Sequence, residues 1–386
     1  MHHVTNANVI TLAKALMACP SVTPTTAGVY DVIESYLVPL GFVATRKTFT
    51  QEGTEPVENL YLRYGTTAPN FCFAGHTDVV PVGDPAAWTV PPFSPQVVDG
   101  ELYGRGAEDM KGAIAAFLVA IRDYLQENPR VSGSISLLIT QDEEGIAVNG
   151  TRKMLEFLKA QGETLDACVV GEPTNPTRLG EKAKIGRRGS VSYTLTVAGK
   201  QGHVAYPELA DNPVTRLILM LHALTTETLD AGNAFFPPSN LEVTTVDVGN
   251  PTVNMIPARA VAKFNIRFNN EHTSADIDRW VRSQLEGYGA YQLESRLTGE
   301  AFLTQDRSLA ELVVASVKAV TGQEPVLSTT GGTSDARFIK DYCPVIEFGT
   351  TGRTSHMVDE RVEVATLHGL TAIYRECLRR YFARAA

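Results

Sequence analysis

LLITQDEEG, Leu137–Gly145, joins four apolar or β-favouring residues to four polar ones and a glycine. The run Leu137–Thr140 predicts the end of a short buried strand, Ser134–Thr140, that delivers Gln141, Asp142, Glu143 and Glu144 to the point where it stops. Three consecutive carboxylates repel one another unless positive charge sits among them. Taken alone, the triplet reads first as a solvated acidic loop before a helix. The sharper alternative gives the adjacent glutamates separate jobs, one holding a metal and one moving a proton. The rest of the chain decides between them.

Upstream, spacing predicts a helix over Asn8–Met17 and a second one carrying Val29, Val32, Ile33, Tyr36 and Leu37, capped by Thr25 or Thr26 and closed by Gly41. Phe42–Phe49 and Asn59–Tyr64 read as strands, and NFCFA (70–74) as a fully buried one ending at Gly75, with His76-Thr77-Asp78 beyond it. Pro81–Asp99, rich in proline and carrying Trp88, reads as a surface loop; Met110–Gln126 is a strong helix. A helix over Thr151–Ala160 and a strand over Asp166–Val170, ending in Gly171-Glu172-Pro173, follow. Strands alternating with helices predict an α/β sheet with helices on both faces, and such sheets present ligand-binding residues where their strands end. From about Gly189 the pattern becomes that of a small α+β unit: strands at Val191–Val197, Leu241–Val248 and Val261–Phe268, and helices at Pro213–Leu224 and Ser274–Leu285. After Gly299 the α/β pattern returns, with helices at Leu309–Val320 and Val364–Ala383, a strand at Pro344–Phe348, and a helix opened by GGTSDARF (331–338). The expected architecture is a central mixed sheet over 1–187 and 299–386, interrupted by a smaller domain at 188–298.

A chain of 386 residues is long enough for two cores. Its 44% hydrophobic and 20% charged content is that of a globular protein. A net charge of −9 argues against nucleic-acid and anionic-membrane partners, and an anionic substrate would need a local basic pocket. The five cysteines are scattered without a CxxC pair, which reads as buried thiols in a reducing, cytoplasmic compartment. The stretch MHHVTNANVITLAKALMACP lacks the features of a signal peptide, and no apolar run reaches the ~20 residues of a membrane span.

The predicted strand ends present His76, Asp78, Asp109, Glu143, Glu144 and Glu172, and a late loop presents His356. Singly each has an ordinary explanation: His76 a hydrogen-bonded loop histidine, Asp109 the N-cap of its helix, Asp78 an Asx-turn residue. Two imidazoles with three of these five carboxylates, and no thiolates, suit zinc, or cobalt or manganese, better than calcium. Five ligands exceed one open tetrahedral site and suit two metals sharing a carboxylate. Asp78, two residues after His76, could accept the second imidazole N–H and fix its tautomer.

FAGHTDVVPVGD (73–84), PPFSPQVVDGELYGRGAEDMKG (91–112), QDEEG (141–145), VVGEPT (169–174) and SHMVDE (355–360) stand in the order seen in the dinuclear-zinc aminoacylase, acetylornithine deacetylase and carboxypeptidase superfamily of amidohydrolases, which the chain resembles. KIGRRGS (184–190), GHVAYPELADNPV (202–214), NMIP (254–257) and GGTSDARF make it most similar to the bacterial succinyl-diaminopimelate desuccinylases. That resemblance covers nearly the whole chain. It implies that Asp109 bridges two zinc ions, that His76 and Glu172 complete one and Glu144 and His356 the other, and that Glu143 is the general base. It further implies a cis Asp109–Met110 peptide, a zinc-peptidase-like catalytic domain, and an inserted lid through which a homodimer forms. In that dimer His203 would polarise the scissile carbonyl across the interface, its alternative being a turn histidine. Arg187, Ser190, Tyr206, Asn254, Arg267 and Thr333 would contact a substrate with three carboxylates and one ammonium, with Arg188 or Arg259 open as replacements for Arg187 or Arg267. Gly331–Ser334 before a helix could also offer backbone N–H groups to an anion.

One departure stands out: typical desuccinylases carry lysine after the last histidine ligand, whereas Met357 follows His356, and TTGRTS (350–355) before it is less typical. The expected reaction is hydrolysis of N-succinyl-LL-2,6-diaminopimelate to succinate and LL-2,6-diaminopimelate, with acetylornithine deacetylase or another N-acyl-amino-acid hydrolase as the alternative within the class. A binding protein that kept the fold would have lost a ligand or the base, and a dinuclear phosphoesterase would want more histidines and a phosphate clamp.

Overall fold

The LLIT run closes a strand, Ser134–Thr140, in which every residue is buried. The structure, a computed structural model, describes residues 7–385; residues 1–6, where the stretch read for a signal peptide begins, and Ala386 lie outside them. Contacts divide the chain into two compact units. The first runs to Ile185 and takes in Thr304–Ser328 and Ser334–Ala386; the second is Gly186–Leu303 with Thr329–Thr333.

The first unit is built on an eight-stranded mixed sheet in the order Val43–Phe49, Val57–Tyr64, Ser134–Thr140, Asn70–His76, Ala167–Val170, Val345–Glu347, Lys182–Lys184, Val326–Ser328. Its four central strands run parallel, with His76 beside Thr140, Ala74 beside Val170, and Val170 beside Glu347. All four are buried along their whole length, as parallel strands covered on both faces are. Phe73 is held between Phe117 of the helix Lys111–Glu127 (centroids 4.3 Å apart) and Tyr374 of the helix Val364–Ala385 (5.4 Å). Those two helices pack on each other, and Thr151–Ala160 packs against Ser134–Thr140. Buried strand polars are paired, Thr140 Oγ1 donating to Asn59 Oδ1 and Asn59 Nδ2 to the Asn149 carbonyl (2.8 and 2.9 Å).

The second unit has a four-stranded antiparallel sheet, Asn240–Asp247, Arg259–Phe268, Gly189–Ala198, Gln292–Gly299. Its inner face carries Val191, Tyr193, Leu195, Phe264 and Ile266, which pack with Leu217 and Met220 of the helix Pro213–Thr226.

Several local expectations need correction. The second helix is capped by Gly28 at φ +83° with no side-chain bond, not by Thr25 or Thr26. Met110, not Asp109, stands at the N-cap of Lys111–Glu127, so the Asp109 carboxylate is free for other contacts. Trp88 in the predicted surface loop is buried, its Nε1 donating to the Val82 carbonyl at 2.9 Å. GGTSDARF opens only the single turn Ala336–Ile339, and Gly332 offers a carbonyl, which Arg187 Nη1 contacts at 2.7 Å. The strand Gln292–Gly299 escaped notice because it is a largely exposed edge strand without an apolar alternation.

Phe73 lies at the centre of the first core. Phe73→Ala is expected to destabilise that unit by about 3–5 kcal/mol, lowering its urea midpoint; an unchanged midpoint would show that the aromatic stack is not what holds helices to sheet.

Candidate metal centre

Because the central strands are parallel and in register, His76, Gln141 and Glu172 leave the sheet at one edge. Gly75 and Gly171 precede two of the candidate ligands, and a Cβ at either would collide with Met110 Cε. The missing side chains let the Met110 thioether sit against both strand ends, and His76 N–H reaches Met110 Sδ at 3.5 Å. Asp109 is thereby carried to the mouth of the same edge, and the Asp109–Met110 peptide is cis.

Two groups of donor atoms result, each lying within 4.8 Å of one another: His76, Asp109 and Glu172, and Asp109, Glu144 and His356. His76 Nε2 is 3.0 Å from Asp109 Oδ1 and 3.8 Å from Glu172 Oε1. His356 Nε2 is 2.8 Å from Glu144 Oε1 and 3.3 Å from Asp109 Oδ2. Asp109 alone belongs to both groups, one oxygen facing each histidine.

QDEEG is not a solvated loop. Gln141 Nε2 donates to Thr77 Oγ1 at 2.6 Å. Asp142 turns inward and accepts the N–H groups of Ala147, Val148 and Asn149 at 2.8–3.1 Å. Glu144 faces His356, whereas the Glu143 carboxylate has no hydrogen bond or ion pair among the described residues. Both glutamates are held through their backbones, their N–H groups donating to Asp78 Oδ1 and Oδ2 at 3.4 and 3.1 Å.

Asp78 therefore does something other than expected. His76 Nδ1 lies 2.9 Å from the Asp78 carbonyl oxygen and 3.6 Å from its carboxylate. A carbonyl can only accept, so Nδ1 carries the proton and Nε2 points its lone pair at the shared centre. The carboxylate instead anchors the loop that carries Glu143 and Glu144.

The electrostatics show a cluster short of positive charge. Burial alone would depress the His76 imidazolium, yet Asp109 and the neighbouring carboxylates raise it well above its ordinary value. Hydrogen bonds to Asp109 and Glu144 push His356 up to about 10. Burial would raise Asp109, but the two histidines hold it below the usual carboxylate range. Burial raises Glu143 well above that range, Glu172 adding to the effect, and pushes Asp78 up to about 7 against the pull of His76. Divalent cations would satisfy the same carboxylates without protonating the imidazoles, and the two-nitrogen, three-carboxylate donor set fits them.

Residues predicted for the substrate fall in the second unit. Arg187 is buried, and Ser190 and Arg267 are cross-strand partners. Burial and the neighbouring Arg188, whose Nη1 donates to Asn240 Oδ1, lower the Arg267 guanidinium's proton affinity. Thr333 closes the Thr329–Thr333 segment beside Gly332, the carbonyl that Arg187 contacts. His203 lies in a two-residue strand paired with Met255–Ile256; Asn254 accepts from Val204 N–H at 3.2 Å, and the Tyr206 ring is 5.7 Å from the imidazole. His203 Nδ1 accepts the Ala205 N–H at 3.0 Å, a turn contact, while the ring stays exposed.

Glu108 and Glu360 were not singled out in the sequence. Both are buried, and both carboxylates bond the loops that carry Asp109 and His356. The only signal was their position inside GAEDMKG and SHMVDE.

This chain is 57% identical over 377 residues to a succinyl-diaminopimelate desuccinylase of Rhodospirillum centenum, covering 97% of this chain and 98% of that one. It is 53% identical over 380 residues to one from Parvibaculum lavamentivorans, covering 97% and 96%. Among solved structures it shares its fold with an M20 family metallo-carboxypeptidase from Sulfolobus solfataricus (TM-score 0.77, 17% identity, 98% of this chain and 100% of that one). It likewise matches a dinuclear metal binding peptidase of the M20 family from Bacillus subtilis (TM-score 0.71, 15% identity, 97% and 98%). The profile of peptidase family M20/M25/M40 matches residues 72–380, and the chain belongs to that family.

Proposed function

We infer that the protein hydrolyses N-succinyl-LL-2,6-diaminopimelate to succinate and LL-2,6-diaminopimelate, a step of lysine and diaminopimelate biosynthesis. The observation that carries this reading is 57% identity, across 97% of the chain, to a relative bearing the name of that activity. The site suits it, because an amide resists attack by water unless its carbonyl is polarised and the water is deprotonated.

We assign His76, Asp109 and Glu172 to one divalent cation and Asp109, Glu144 and His356 to a second, zinc in the first instance, with cobalt or manganese compatible. Bound there, the cations supply Lewis acidity and lower the proton affinity of water. Glu143 takes a proton from the attacking water and passes it to the amine nitrogen as the C–N bond breaks, leaving succinate as the free carboxylate. Its carboxylate makes no hydrogen bond or ion pair among the described residues, and desolvation of this half-buried group, with Glu172 nearby, raises its proton affinity, as a group that must accept and then return a proton requires. Asp78 holds the Glu143–Glu144 backbone and, through its carbonyl, the His76 tautomer.

In the second unit, Arg187, Ser190, Tyr206, Asn254, Arg267 and Thr333 are assigned to the substrate's carboxylates and ammonium, and His203 to the scissile carbonyl of substrate held by the partner subunit. The paired Ser190 and Arg267, with Arg188 alongside, form a cationic patch in a chain of net charge −9. A homodimer is supported by the helix Pro213–Thr226, which buries Leu217 and Met220 yet exposes Ile218 and Leu219 by 59% and 47%. A helix apolar on both sides calls for a second covering surface. Five unpaired thiols suit a reducing cytoplasm.

Acetylornithine deacetylation is the second reading, kept open because Met357 stands where lysine is usual after the last histidine ligand, beside the loop that bears on the acyl group. Turnover of the two substrates by zinc-loaded protein separates them: the succinyl substrate is expected to be preferred, and faster hydrolysis of acetylornithine would overturn the assignment. Glu143→Gln is expected to keep two metal equivalents and lose about 10²–10⁴-fold in turnover, checked by elemental analysis beside succinate release. Loss of one equivalent instead would reverse the roles of Glu143 and Glu144. Ile218→Asp is expected to shift the sedimentation mass from dimer to monomer; an unaltered dimer would move the interface elsewhere.

A further inference from the structure

The two residues that only the first candidate group contains lie on rigid neighbours: His76 ends one strand, and Glu172 follows directly on the parallel strand beside it. The second group is built differently. Asp109 and His356 come from loops almost 250 residues apart in sequence, and His356 itself sits at φ +64° on an irregular turn. Such a backbone conformation persists only where its surroundings hold it.

What holds it is a reciprocal clasp of two buried glutamates. Glu360, fully buried just after His356, reaches back to the Asp109 loop. Its Oε1 accepts the N–H groups of Glu108 and Asp109 (2.9 and 3.0 Å), and its Oε2 accepts Gly106 N–H and Arg105 Nη1 (3.0 and 2.8 Å). Arg105 Nη1 also donates to the Met357 carbonyl at 3.1 Å. Glu108, next to Asp109, reaches the other way. Its Oε1 accepts Thr351 Oγ1, its Oε2 accepts Thr354 N–H and Oγ1, and its carbonyl accepts Thr350 Oγ1 at 2.7 Å. Neither carboxylate is itself a member of a candidate ligand group. Each spends its acceptor capacity on the opposite loop.

We propose that Glu108 is a positioning residue for the second cation: by binding the Thr350–Thr354 approach to His356, it fixes that imidazole against Asp109 and sets the affinity of the Asp109–Glu144–His356 site. This rests on the two-cation reading given above. Side chains that orient metal ligands from behind change affinity by about 10–100-fold when altered. Glu108→Gln replaces an acceptor by a donor facing Thr351 and Thr354. Thr351→Val removes one donor to Glu108 at constant shape, and Thr351→Ser restores it.

The test is Co²⁺ titration of chelator-treated full-length protein, followed by calorimetry and by the visible absorption of bound Co²⁺. Wild type is expected to take up two equivalents in resolvable steps. Glu108→Gln and Thr351→Val should weaken one step by at least about tenfold, leave the other within about threefold, and change the absorption of the second equivalent; Thr351→Ser should return both to wild type. Two steps that stay unchanged, or that fall together, in the folded variants would overturn the proposal; if Glu108→Gln fails to fold, Thr351→Val and Thr351→Ser decide it. Uptake of fewer than two equivalents by wild type would instead overturn the two-cation reading, and this proposal with it.

Discussion

Asp109 lies between two imidazoles supplied from distant parts of the chain, 3.0 Å from His76 and 3.3 Å from His356. The loops that carry Asp109, His356, Glu143 and Glu144 are tied down around that arrangement by buried carboxylates. A carboxylate placed among three others in a mostly buried pocket is unfavourable unless positive charge joins it. The two histidines supply that charge when protonated, and two divalent cations would supply more of it. The raised proton affinity of both histidines and the depressed affinity of Asp109 are two views of this one imbalance.

The scaffold around the cluster uses carboxylates in a second way, as acceptors for backbone N–H groups. Asp78 holds Glu143 and Glu144, Asp142 holds residues 147–149, and Glu360 holds Gly106, Glu108 and Asp109. These buried acids replace the regular ladder where the strands have ended and the chain has no secondary structure to satisfy its amides. An acidic loop can thus be rigid: in QDEEG each polar side chain but Glu143 has its own partner. Glu143 stays free, and that freedom supports its assignment to the proton.

The second unit solves a different problem. In a chain with nine excess negative charges, the strand pair that sets Ser190 opposite Arg267 also has Arg188 close by, and this local gathering of guanidinium groups is what supports assigning the substrate's carboxylates to this unit. Arg187 and the Thr329–Thr333 segment belong to this unit although the latter returns from far along the sequence.

The sequence by itself determined the alternation of strands and helices, the strand ends that carry His76, Glu143, Glu144 and Glu172, and the change to antiparallel structure near Gly189. Those features follow from local periodicity, which a linear chain displays openly. Resemblance then singled out the ligand set and the desuccinylase family. Only the tertiary structure decided how Asp78 works, since sequence cannot tell its carbonyl from its carboxylate as partner of His76. Burial of Asp142 was equally invisible, because its partners lie in a turn that bends back on it. The Glu108–Glu360 clasp joins loops that no periodicity connects, and buried acids with amide partners look in sequence like any other acids. Strand ends are local and legible; the contacts that bring one loop to another across the fold are not.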